Sequence, residues 1–66
     1  MRISVNGEIK EFNRERLMLN ELLEEMQFGK GVAVALNETF VLRTNYAKID
    51  INDGDRLDIL SPVQGG

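Results

Sequence analysis

Hydrophobic residues alternate with polar ones from the first positions of the chain. Ile3 and Val5 share one face of Arg2 to Asn6, the period of two that a half-buried strand requires. Asn6-Gly7 follows, the dipeptide that best tolerates the positive φ angles of a two-residue hairpin turn, so a second strand is expected over Glu8 to Phe12. After the polar stretch Asn13-Arg14-Glu15-Arg16 the period changes. Leu19, Leu22, Leu23 and Met26 recur at the spacing of one helical stripe, with Glu21, Glu24 and Glu25 left to solvent. Gly29 is the expected left-handed residue that stops this helix, and Gly31 loosens the turn after it.

Val32-Ala33-Val34-Ala35-Leu36 reads as a strand with large residues on one face and alanines on the other. Asn37-Glu38 bounds it, and Thr39 to Leu42 is expected to pair with it as a hairpin. Arg43 through Asp50 has no clean period, which predicts an irregular crossing with a short turn near Tyr46, ahead of the turn signal Asp53-Gly54-Asp55. The last strand follows with Leu57 and Ile59 inward and Leu60 on the opposite face. Pro62 lacks the N–H a ladder needs, so pairing is expected to end there and 61–66 to form a flexible tail. A helix laid on one face of a mixed sheet buries both apolar sets in a two-layer α+β domain. The β-grasp, or ubiquitin-like roll, has this element order. A ferredoxin-like order needs a second full helix, for which Thr44 to Ile51 is too short and irregular.

Composition narrows the function. A chain of 66 residues has room for one domain, 1–66, and one small core. With 42% hydrophobic and 29% charged residues it has the balance of a globular protein. No apolar run approaches the roughly 18 residues of a membrane span, and the alternating start lacks a signal peptide's apolar stretch, so the expected compartment is the cytoplasm and no membrane is involved. There is no cysteine and no histidine. That removes disulfides, thiolate nucleophiles, the usual near-neutral base and the commonest metal ligands, and leaves carboxylates, lysines, hydroxyls and the termini for any chemistry. A net charge of -3, with Lys and Arg scattered among acids, speaks against nucleic acid and for a basic partner surface.

Pro62-Val63-Gln64-Gly65-Gly66 has almost nothing to pack, and a glycine pair there is either a frayed end or a reactive one. Other features have plainer readings. Asp50, Asp53, Asp55 and Asp58 form an acidic cluster, but Ile49 and Ile51 stand where a calcium loop would place ligands, so turn chemistry is expected. Asn37-Glu38-Thr39 matches a glycosylation acceptor and reads as a hairpin turn.

Taken together, the opening Arg-Ile-Ser-Val-Asn strand, Glu21-Leu22-Leu23-Glu24, Val34-Ala35-Leu36-Asn37, Val41-Leu42-Arg43, Asp53-Gly54-Asp55 and the final Gly65-Gly66 resemble the thiamin-biosynthesis sulfur carrier (ThiS) family over nearly the whole chain. The chain departs from that pattern in three places. Leu42 stands where proline is frequent, Met18 where a Thr or Ser helix cap is usual, and Gln64 where a small residue is usual in the tail.

The resemblance implies a β-grasp carrier that is not an enzyme and binds no cofactor. An adenylyltransferase of the ThiF type would use ATP to adenylate the Gly66 carboxylate, and a sulfur donor such as a cysteine desulfurase would convert it to a thiocarboxylate. A thiazole synthase of the ThiG type would then take the sulfur. Pro62, Val63, Gln64 and Gly65 would be the recognised tail, and glycine there lets the backbone pass a narrow channel and bend at the reacting carbon. Leu60 is the candidate partner anchor on the open sheet face. Phe40 is read first as the cover of a core edge and second as part of that patch. The rival readings are the small subunit of molybdopterin synthase, a ubiquitin-like protein modifier, and a plain binding domain.

Overall fold

The computed structural model describes residues 1–29 and 31–61. Their order is β1 (Arg2–Val5), β2 (Glu8–Glu11), β3 (Leu17–Met18), α1 (Leu19–Glu25), β4 (Ala33–Leu36), β5 (Thr39–Val41), a 3₁₀ helix (Arg43–Lys48), β6 (Asp50–Ile51) and β7 (Arg56–Leu60). One mixed sheet runs β2-β1-β7-β4-β5, with β1 and β7 parallel and the other neighbours antiparallel. Ile3 and Val5 of β1, Val34, Val41, Leu57 and Ile59 bury their side chains in one core with Leu19, Leu22 and Leu23 of α1. The ubiquitin-like β-grasp expected from the element order is the fold observed.

Both hairpins turn through two residues with positive φ, Asn6 (51°) and Gly7 (85°) in the first, Asn37 (50°) and Glu38 (71°) in the second. These are the angles of the mirror-image turn that matches strand twist. The two asparagines also hold β7. The Asn6 Oδ1 accepts a hydrogen bond from the Ile59 N–H at 2.7 Å, and the Asn37 Oδ1 accepts one from the Arg56 N–H at 2.9 Å. The acidic residues of the turn before β7 have similar structural roles. Asp53 accepts the Arg2 N–H at 2.6 Å, while Asp55 accepts the Asn52 N–H at 2.7 Å and the Asn37 side-chain amide at 3.0 Å.

The structure corrects two local expectations. The helix ends at Glu25, and the left-handed residue is Gln27 (φ 63°) rather than Gly29. Phe28 donates to the Leu23 carbonyl and Gln27 to that of Glu24, the paired closure of a Schellman motif. The chain turns early because half-buried Phe28 must return to the core, which outweighs the roughly 1–2 kcal/mol that a Cβ costs in this conformation. The second correction is the small sheet β3–β6. It pairs Leu17 with Ile51, both buried, where the sequence pattern predicts no strand and an irregular crossing up to Asp50. The crossing itself forms the 3₁₀ helix, fastened where the Tyr46 hydroxyl donates to the Val32 carbonyl at 2.9 Å.

Met18 occupies the N-cap of α1 without a hydroxyl, and the Glu21 carboxylate accepts the Met18 N–H at 2.9 Å instead. That bond first, and then Arg14 at 3.3 Å, holds the Glu21 carboxyl below the ordinary value of 4.5. The folded form therefore binds the proton less readily, and its contribution to stability is complete above that ordinary value and lost as pH falls through the lower folded one. Glu21→Gln keeps an acceptor for Met18 and removes the charge. Urea titrations of both chains should show the parent's advantage at neutral pH shrinking below about pH 4.5; a constant difference would rule this out.

Leu42 has φ -70° and ψ 141°. A two-residue turn closed by Leu36 and Thr39 makes Val34 and Val41 a hydrogen-bonded pair, so the Leu42 N–H points off the open edge of β5. Proline fits there, and Leu42→Pro should stabilise the chain by about 0.4–1 kcal/mol by restricting the unfolded state, read as a rise in the thermal midpoint. A lower midpoint would show that Leu42 contributes more by packing than proline gains.

Candidate functional site

The residues expected to carry the reaction or enter a partner, Pro62, Val63, Gln64, Gly65 and Gly66, lie outside the described residues. What the structure places is the surface from which they continue. β7 lies between β1 and β4, so the sheet delivers the chain to Ser61 from its middle rather than from an edge. Leu57 and Ile59 are buried, and Leu60 is 73% exposed on the other face, as the alternation requires.

Phe40 is 64% exposed, which corrects its reading as the cover of a core edge. Val41 next to it turns inward and closes the core there. The register places Phe40 on the same open face as Leu60. Phe40 lies opposite Ala35, Ala35 opposite Asp58, and Ala33 opposite Leu60. Two alanines thus form a low floor between two large apolar side chains, leaving a shallow depression of about 110 Å³ with Asp58 on its wall. Such a volume is far below the roughly 300 Å³ at which small-molecule sites begin, whereas a protruding side chain of another protein fits it.

Asp58 is the residue that strand alternation alone leaves unremarked. Its half-buried carboxylate stands 3.3 Å from the Arg56 Nε, and Arg56 also reaches Glu38 at 3.8 Å. Two acids share one guanidinium beside the apolar strip. The signal was present in the sequence as Asp58 two residues from Leu60, but only the registers of β4 with β5 and with β7 bring Phe40 near it, and Arg56 links it to Glu38.

Among the described residues no group of acids is arranged to hold a metal ion. A separate cleft of about 430 Å³ between β2 and α1 is open and lined by Lys10, Arg14 and Glu25 around Phe12 and Met26. Among the described residues, no helix is long and apolar enough to cross a membrane.

Comparison with known proteins places this arrangement among relatives. The model of the ThiS family matches residues 3–66. The sulfur carrier protein ThiS of Thermus thermophilus is 40% identical over 63 residues, covering 94% of this chain and 95% of the relative. A thiazole synthase of Paramagnetospirillum magneticum is 34% identical over 67 residues, covering the whole of this chain, which spans 20% of that protein's length. The crystal structure of the thiamine biosynthesis protein ThiS from Geobacter metallireducens superposes with a TM-score of 0.86 at 29% identity, covering both chains fully.

The exposed strip should be dispensable for folding. Replacing Phe40 and Leu60 together by threonine, which keeps strand propensity, is expected to change unfolding free energy by less than about 1 kcal/mol in a urea titration. A loss of several kcal/mol would show that the strip belongs to the core.

Proposed function

The chain belongs to the ThiS family, the sulfur carriers of thiamine biosynthesis, and from that premise we propose that its sulfur is held on the carboxyl carbon of Gly66. The observation that carries this reading is the absence of cysteine from the sequence. A protein that carries sulfur without a thiol cannot store it as a persulfide, which leaves carboxyl carbons as points of attachment. Among these the family match, which runs to Gly66, favours the carboxyl of that residue.

The chemistry then follows from the poor electrophilicity of a carboxylate. Its oxygen attacks the α-phosphorus of ATP on an adenylyltransferase of the ThiF type and releases pyrophosphate. The terminal sulfur of a donor persulfide, of the kind a cysteine desulfurase forms, attacks the acyl carbon and displaces AMP. The resulting acyl disulfide takes two electrons from a thiol, its S–S bond breaks, and the thiocarboxylate is left on Gly66. The carrier contributes position and not catalysis; the enzymes that load and unload it contribute the acid–base groups.

The thiazole synthase is the proposed acceptor. Its support is the relative that bears that name and contains a segment similar to the whole of this chain. Gly66 is five residues beyond Ser61, so it lies within about 18 Å of it. An enzyme that closes on Gly66 therefore meets the open sheet face around Leu60 and Phe40. Burying both side chains contributes about 1.5–3 kcal/mol each before the costs of association. Pro62, Val63, Gln64 and Gly65 are the proposed contacts in the partner's channel.

Extending the chain by one residue after Gly66 should reduce thiocarboxylate formation at least about a hundredfold, since a displaced carboxyl misses the near-attack geometry. ATP-dependent formation is followed by intact-mass spectrometry with the activating partner and donor present. Sulfur loading at the parent rate would overturn the assignment to Gly66.

A further inference from the structure

We infer that Asp58 is a specificity residue of the docking face, matched on the thiazole synthase by an arginine or lysine set within an apolar surface. This inference rests on the proposed use of that face. Asp58 and Leu60 are two residues apart on one side of β7, and Phe40 stands two strand spacings away from Asp58 across Ala35, about 10 Å. A partner that touches both Phe40 and Leu60 covers the alanine floor and encloses the carboxylate on its wall.

Enclosure raises the electrostatic stakes. Asp58 is half-exposed in the free chain, so water solvates much of its charge. Docking removes that water, and a carboxylate desolvated without a full partner is strongly unfavourable. Arg56 does not neutralise it, because the same guanidinium also faces Glu38 and the three groups together carry one excess negative charge. The whole chain is acidic as well, with a net charge of -3. The fitting surface is therefore apolar around one cation. A surface of equal apolarity without that cation is rejected, which lets a small patch discriminate between partners.

The experiment measures binding of the full chain to the thiazole synthase at low and high ionic strength, for the parent, Asp58→Asn, Asp58→Glu and Leu60→Thr. Asp58→Asn is expected to weaken binding about tenfold at low salt and to flatten its salt dependence, since the screened charge is gone. Asp58→Glu restores most of both. Leu60→Thr weakens binding with the parent's salt dependence intact. If Leu60→Thr weakens binding while Asp58→Asn matches the parent in affinity and salt dependence, the inference about Asp58 fails and the docking face stands. If neither substitution matters, the face itself is wrong and the inference falls with it.

Discussion

The structure depends on how β7 is held. This strand takes a parallel neighbour on one side and an antiparallel one on the other, and the Asn6 and Asn37 side chains fasten its backbone from the two hairpin turns. Each asparagine adopts the positive φ its turn requires and uses its side chain to extend the ladder of the central strand. Leu57 and Ile59 then anchor β7 from below through burial against α1 and the neighbouring strands. A hydrogen bond of this kind contributes on the order of 1 kcal/mol net, and each buried side chain about twice that. Together they fix the root of the segment that leads to Gly66.

A fixed root and an open face divide the labour within the domain. The inner side of the sheet gives its apolar residues to folding. The outer side holds Phe40 and Leu60 in water above Ala33 and Ala35. A chain of this size has few core residues to spare for a partner. The docking proposed for a thiazole synthase uses side chains that folding leaves free. The chemistry proposed for Gly66 uses no side chain at all, which accords with a sequence that has neither cysteine nor histidine.

Much of this was legible before the structure. The alternation of Ile3 with Val5, the stripe Leu19, Leu22, Leu23 and Met26, and the two asparagine turns define the element order, and that order selects the β-grasp. The two-residue strands β3 and β6 were not legible, because they are too short to show a period and exist only through pairing with one another. The left-handed residue was placed at Gly29 because glycine is the usual occupant. Tertiary packing of Phe28 overrode that preference and put Gln27 there. At the candidate site, Leu60 followed from strand parity alone. The exposure of Phe40 and its proximity to Asp58 required the register between β4, β5 and β7, which no local pattern encodes.

In the function proposed, the fold is an inert holder and sulfur travels on the acyl carbon of Gly66. Tandem mass spectrometry of the protein isolated from cells making thiamine tests it most directly. A fraction with one oxygen replaced by sulfur is expected, with the extra mass confined to fragments that contain Gly66. Sulfur found on another residue, or protein that restores thiamine synthesis while its Gly66 carboxyl is permanently blocked, would contradict it.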